Sequence, residues 1–493
     1  MKLGCFLKLL LPLNWSNHLE NKVKKQLWTL GLLSLPLSAL AYDDGYYSGW
    51  QKLWNMISPP KANNPVQPHE REGSYPLLSN PQNFDDGFKP GKFGIWQQVN
   101  LSKETGAMCG NGSEYKFYVR RVAGNKNYLF YLEGGGACWD YESCSGQSGI
   151  RGARNPNGIP DNYIFNLDTA LVSPFIFPPH YEDHPEAQKW NLVYVPYCTG
   201  DIYAGDKTAV YEDPTGENEP LEWHHNGMKN MRAITSWFRD NMQQPARMMM
   251  TGCSAGGTGA LVNYHLMRRD MQPSSTAYLF NDSGPIFPAP VGTDAPSLPL
   301  HQKIYDVWGL DGVIDYIGRD VDGFDASNLG TINSALADTW PDDRLAHTHF
   351  QKDLNYSSYS YERFYDYIKD EQDELTKWRY IHQLWQQDTD ALAEQLDLHD
   401  NFAYYLPQFR DLNESHCTTI VEFNNADVQE ANANLGNYID HFMDPNQPLA
   451  SYKESSPQAD YEKGANFYYL LLNSVLGAPS TTNPYLYEEL NKD

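Results

Sequence analysis

The segment Met248-Met-Met-Thr-Gly-Cys-Ser-Ala-Gly-Gly257 constrains the fold more than any other part of the chain. An apolar run leads into it, and Ala255-Gly-Gly-Thr-Gly-Ala260 opens an amphipathic stretch that continues to about Arg269. Its centre, Gly252-Cys-Ser-Ala-Gly256, matches Gly-x-Ser-x-Gly, the sharp strand-to-helix turn that lifts a serine hydroxyl above the end of a buried strand. Cβ atoms two positions either side of the serine would clash in so tight a turn, which accounts for the two glycines. The bare pattern recurs by chance; here the strand before it and the helix after it supply the context. It predicts Ser254 as a nucleophile at the foot of a helix whose first N–H groups face developing negative charge.

Other runs supply a sheet for that turn. Tyr128–Glu133, Asn191–Tyr197, Ala246–Gly252 and Thr276–Asn281 are short, continuous and apolar, and Leu345–Gln351 is a weaker fifth. Such runs suit strands buried on both faces of a parallel sheet, which must be joined by crossover helices. Asn226–Met242 and Ala255–Arg269 carry helical periodicity where crossovers are needed. The expectation is an α/β fold, a mostly parallel sheet flanked by helices. Residues 359–399 read as strongly helical through Trp378, Ile381, Leu384 and Trp385, so a helical insertion is placed near 359–410. It is either a cap over the site, or even a mobile lid, or ordinary packing. Residues 42–99, rich in Pro, Asn, Ser and Gly, read as an irregular lead-in, and 100–493 as the catalytic domain.

The formal charge of −25 repels phosphate backbones and anionic lipid head groups, which sets nucleic acid aside as a partner. Within residues 1–41, Lys22-Val-Lys-Lys25 precedes the apolar run Leu27–Leu40, which ends in Ala39-Leu-Ala41. Basic flank, short apolar stretch and small-x-small exit are the parts of a cleavable export signal, here with an N-terminal extension and a cut near Ala41. The run is broken by Pro36 and is short of the roughly 20 residues a spanning helix needs. The expected destination is periplasmic or extracellular, without stable membrane insertion and as a monomer. With Cys5 in the leader, six cysteines remain: Cys109, Cys138, Cys144, Cys198, Cys253 and Cys417. An even count in an oxidising compartment favours disulfides, with Cys138 and Cys144 the easiest local pair. No Cys/His cluster has zinc-ligand spacing, and the chemistry predicted here calls for neither metal nor cofactor.

Glu133-Gly-Gly-Gly136 follows an earlier strand, where hydrolases of this type place oxyanion donors on a glycine-rich turn. Tyr131-Leu-Glu-Gly-Gly-Gly-Ala-Cys-Trp139, Cys144, Val195-Pro-Tyr-Cys198 and Gly252-Cys-Ser-Ala-Gly-Gly-Thr-Gly-Ala260 together resemble the pectin acetylesterase/Notum family of carboxylic-ester hydrolases. The likeness runs from Cys109-Gly-Asn-Gly-Ser113 to about His416, and Phe280-Asn-Asp-Ser-Gly-Pro285 with Tyr356–Tyr365 resembles bacterial members. The resemblance implies an α/β-hydrolase fold, a Ser-Asp-His triad, and oxyanion donors at the backbones of Gly135, Gly136 and Ala255. It further implies a Cys138–Cys144 bridge bracing that loop and a Cys109–Cys198 pair.

The acid and the base must follow Ser254 in that order. Ser415-His-Cys417 lies in a polar turn before Ile420-Val-Glu-Phe423, and His416 looks like the family's catalytic histidine. His441 competes with it; His382 and His399 read as surface residues of helices, and His224-His225 precede the serine. Asp353, in Phe350-Gln-Lys-Asp-Leu-Asn355, ends the fifth strand and has about the family's spacing to Ser254 and His416. Asp306 and Asp282 remain as alternatives for the acid, although Asp282 reads more naturally as the brace of a loop. Cys253 and Cys417, flanking the nucleophile and the base, are either bridged or two buried thiols. The expected activity is hydrolysis of a small acyl ester, by resemblance O-acetyl on a polysaccharide, through an acyl-enzyme. The alternatives are a long-chain or lipid deacylase of the same fold, and a catalytically silent binding protein. The expected partner is an acylated carbohydrate or another ester substrate.

Overall fold

The computed structural model describes residues 75–78, 88–146, 152–165, 173–177, 185–423, 426–428, 431, 433–455 and 472–473. The leader expected over 1–41 lies outside these residues, as does most of the lead-in. Among the described residues no helix is long and apolar enough to cross a membrane.

The strands are β1 (Trp96–Leu101), β2 (Tyr115–Arg120), β3 (Tyr128–Leu132), β4 (Asn191–Val195), β5 (Lys207–Tyr211), β6 (Leu221–His225), β7 (Met248–Cys253), β8 (Ala277–Asp282), β9 (Arg344–Thr348), β10 (Phe402–Leu406) and β11 (Tyr452–Lys453). β5 and β6 form a separate antiparallel hairpin; the others make one sheet in the order β1-β2-β4-β3-β7-β8-β9-β10-β11. β2 runs antiparallel to β1 and β4, and the pairs from β4 through β11 are parallel. That swap of the third and fourth strands, followed by sequential parallel addition, is the α/β-hydrolase arrangement. Every residue of β3, β4, β7 and β8 is buried, as continuous apolar runs require of central strands covered on both faces.

The helices are α1 (Tyr141–Ser145), α2 (Gly227–Asn241), α3 (Ala255–Met271), α4 (Leu298–Trp308), α5 (Asp311–Gly318), α6 (Thr331–Thr339), α7 (Leu354–Tyr361), α8 (Asp366–Lys369), α9 (Glu374–Leu396) and α10 (Leu435–Met443). Two boundaries differ from expectation. β1 begins at Trp96, inside the stretch read as irregular to 99, because its alternating Gln97, Val99 and Leu101 fit a one-sided strand rather than a loop. The helical insertion ends at Leu396, and Phe402–Leu406 within 359–410 is a sheet strand. Helix also begins earlier, at Leu354, and it is interrupted: the side chains of Asp353 and Asp373 cap separate helices. α7, α8 and α9 thus form the long crossover from β9 to β10. Trp378, Ile381 and Trp385 of the anticipated stripe are buried, while Leu384 is only half-buried.

Candidate active site

The geometry of the turn after β7 follows from its glycines. Ser254 has φ 58° and ψ −126°, a left-handed conformation that few non-glycine residues adopt. A Cβ on Gly252 would sit 2.3 Å from the Leu132 carbonyl oxygen, and one on Gly256 2.0 Å from the same atom. The turn therefore lies directly on the end of β3, where the Gly134–Gly136 loop begins. A Cβ on Gly134 would come 2.4 Å from the Cys253 carbonyl oxygen and 3.2 Å from Ser254 Cβ. These contacts set the glycine loop against the serine. Gly135 and Gly136 have φ 146° and 66°. Among the described residues no acceptor takes the backbone N–H of Gly135, Gly136 or Ala255.

The loop is braced from behind. The Gly135 carbonyl accepts from the Arg154 backbone N–H (3.1 Å). The Arg154 guanidinium pairs with Glu133 at 2.8 Å, and the fully buried Glu133 also accepts from the Tyr163 hydroxyl (2.7 Å) and the Tyr197 N–H (3.0 Å). Glu133 closes an otherwise apolar strand; a charge in that position was the available sequence signal for this brace. The Cys138–Cys144 disulfide spans α1 just beyond the glycines, and Cys109–Cys198 joins the β1–β2 loop to the end of β4.

His416 and Asp353 lie side by side. His416 Nδ1 lies 2.7 Å from Asp353 Oδ2, and both side chains are buried. Asp353 does not end β9, which stops at Thr348; it is the N-cap of α7, its Oδ1 accepting from the N–H groups of Asn355 (2.9 Å) and Tyr356 (2.8 Å). One carboxylate thus faces the imidazole with one oxygen and a helix end with the other. The residues next to Ser254 and His416 are tied directly: Cys253 and Cys417 form a disulfide, with Cα atoms 5.6 Å apart. A His416 ring nitrogen and the two sulfurs lie within 4.8 Å of one another. In this group, and in Cys138, Cys144 and His225, the sulfurs are disulfide-bonded and offer no thiolate to a metal.

The other candidates go elsewhere. Asp306 is exposed on α4, where its backbone carbonyl accepts from Lys207 Nζ. His441, on α10, meets the Pro448 carbonyl through Nε2. His399 packs beside Asp338, and His224 and His225 lie buried in the β5–β6 hairpin. Asp282 turns its carboxylate to Thr418 and Thr419, just past the histidine. Tyr356, absent from the sequence reading of the site, places its ring 6.2 Å from that of His416. Its hydroxyl lies 3.2 Å from Thr258 Oγ1 and 3.3 Å from the Pro285 carbonyl, and burial pushes the phenol up to about 12. Beside it opens an apolar cavity of about 60 Å³, lined by Thr258, Ile286, Phe287, Leu300, Ile304 and Tyr356 among others.

Known proteins resemble this chain over the same region. Residues 95–295 match the model of the pectinacetylesterase family. Pectin acetylesterase 4 of Arabidopsis thaliana is 29% identical over 186 residues, 37% of this chain and 42% of that protein. Palmitoleoyl-protein carboxylesterase notum2 of Xenopus laevis is 25% identical over 166 residues, 34% of this chain and 31% of that protein. The chain thus spans less than half the length of these curated relatives. The solved structure of the Wnt deacylase Notum from Drosophila aligns at 19% identity and a TM-score of 0.48, covering 73% of this chain and 95% of that one. The family match includes the glycine loop and Ser254 but stops short of Asp353 and His416. Over residues 95–295, the chain is similar to the pectinacetylesterase family.

Proposed function

We propose that the protein is an exported serine carboxylesterase acting on small acyl esters, with O-acetyl groups of a polysaccharide as the favoured substrate class. The observation that carries this reading is the buried Asp353–His416 pair at 2.7 Å, joined to the Ser254 turn through Cys253–Cys417. With Nδ1–H directed at the carboxylate, His416 keeps Nε2 unprotonated as the base. Ser254 Oγ attacks the acyl carbon while Nε2 takes its proton. The oxyanion is held by the N–H groups of Gly135, Gly136 and Ala255, which no protein acceptor among the described residues occupies. The tetrahedral adduct collapses as His416 protonates the leaving alcohol. Water, deprotonated by His416, then attacks the acyl-enzyme; the acid departs and Ser254 regains its proton. Asp353 orients the ring and stabilises its cation in both halves.

The disulfides and the leader-like residues 1–41 support export. A second reading, a longer acyl chain, is favoured by the apolar cavity beside Thr258 and Tyr356. An acyl-length series of p-nitrophenyl esters, run on the protein and on Ser254→Ala, separates the readings. The acetyl reading expects kcat/KM to fall from the acetyl ester upward; a maximum at eight carbons or more would replace it with the second. Equal rates for both proteins would leave only a binding role.

A further inference from the structure

The loop that presents His416 holds an unusual backbone. Asn413, Glu414, Ser415 and Cys417 all have positive φ, between 53° and 64°, and none is glycine. Such a run persists only where its surroundings over-determine it. Two side chains at the end of β8 meet the residues that follow the histidine. The Cys417 N–H donates to Ser283 Oγ (3.2 Å), the Thr418 N–H to Asp282 Oδ1 (2.8 Å) and the Thr419 N–H to Asp282 Oδ2 (2.9 Å). The hydroxyls of Thr418 (3.0 Å) and Thr419 (2.6 Å) donate to the same two carboxylate oxygens, and Ser283 Oγ adds a third donor to Oδ1. Three consecutive amides are thus gathered onto residues 282 and 283.

Asp282 is fully buried, and among the described residues no cation pairs with it. Five donors on two oxygens is a coordination that only the acceptor-only, ionised carboxylate satisfies. The same residue also holds the nucleophile: its backbone carbonyl accepts the Ser254 N–H at 2.9 Å, and it pairs with Cys253 across the β7–β8 ladder. One residue therefore touches both the serine turn and the histidine turn.

We propose that Asp282 is a positioning residue that fixes His416 relative to Ser254, acting through the Thr418–Thr419 amides rather than on the substrate. This rests on the assignment of Ser254 and His416 above. The ionised carboxylate is the essential feature. In Asp282→Asn an amide NH₂ would face two donors, and the turn would have to shift; a displacement near 1 Å is enough to cost about 100-fold in rate.

The test compares Asp282→Asn, Thr419→Val and Thr419→Ser for kcat and KM on p-nitrophenyl acetate, with thermal unfolding and near-ultraviolet circular dichroism as checks of folding. Asp282→Asn should lower kcat about 100-fold with KM within about threefold. Thr419→Val, which removes the 2.6 Å hydroxyl contact, should lower kcat several-fold, and Thr419→Ser should restore it. If Asp282→Asn fails to fold, the valine and serine pair carries the test. Folded variants with the kcat of the parent protein would overturn the proposal. Ser254→Ala and His416→Ala are measured alongside: if either keeps full activity, the assignment beneath is wrong. If both are inactive while Asp282→Asn and Thr419→Val are unimpaired, only the positioning role fails.

Discussion

Replacing Asp353 with Asn separates its two tasks. Oδ1 caps α7 through the Asn355 and Tyr356 amides, and Oδ2 faces His416 Nδ1 at 2.7 Å. An asparagine keeps its carbonyl oxygen on the cap, where Asn serves as well as Asp, so stability should change by less than about 1 kcal/mol. Its NH₂ then points at the imidazole and forces Nδ1 to become the acceptor. The ring proton moves to Nε2, and the base that should deprotonate Ser254 is gone. The wrong tautomer in a serine triad costs about 10⁴ in kcat, roughly 5.4 kcal/mol of transition-state stabilisation at 1.36 kcal/mol per tenfold. Asp353→Ala would differ: it leaves the two amides of a buried helix end without an acceptor, a further loss of about 1–2 kcal/mol in stability. The assay is kcat/KM on p-nitrophenyl acetate with denaturant unfolding on the same samples. A folded Asp353→Asn protein working within about tenfold of the parent would refute the assignment of this carboxylate as the triad acid.

Other perturbations give different readouts. Gly256→Ala puts a Cβ 2.0 Å from the Leu132 carbonyl oxygen, so the elbow must move off β3 at a cost of about 3 kcal/mol or more; an unchanged denaturation midpoint would contradict the close approach. Cys253–Cys417 closes a separation of 164 residues and Cys138–Cys144 one of six. On loop entropy alone, serine pairs at these positions should cost about 5 and about 2 kcal/mol, and the reverse order in calorimetry would count against that account. Burial pushes the Asp388 carboxyl up to about 7, so the fold keeps a proton that the unfolded chain releases near pH 4. The native state then binds more protons across that window, and stability falls as pH rises through it. Asp388→Asn keeps an acceptor for the Tyr361 hydroxyl (2.8 Å) and should gain on the parent between pH 5 and 8 by a few kcal/mol at most; a pH-independent difference in Tm would exclude this.

The central strands and the serine turn were legible because each depends on local rules: continuous apolar runs for β3, β4, β7 and β8, and glycine spacing for the elbow. β9 read weakly because His347 and His349 interrupt its apolar run. The fold buries both, pairs them with each other at 2.7 Å and pairs His349 with Thr389 at 3.0 Å, satisfying polar groups that a local reading counts against a core strand. Chain order, strand ends and the family resemblance together leave three aspartates for the acid, but no spacing reveals which carboxylate an imidazole will face. Asp353 lies at a helix N-cap rather than a strand end, a position that Asp-Leu-Asn-Tyr signals through its leading Asp. The His416 turn was least legible. Its left-handed residues include no glycine to mark them, and the groups that hold it, Asp282, Ser283 and Cys253, lie more than 130 positions away in sequence.

Acylation of Ser254 is tested most directly by rapid acid quench during turnover of p-nitrophenyl acetate, followed by peptide mass mapping. An acetyl group should be found on the peptide containing Ser254 and be missing from Ser254→Ala, which should also lose turnover. Turnover by Ser254→Ala at the rate of the parent protein, with no acyl group on that peptide, would contradict the mechanism.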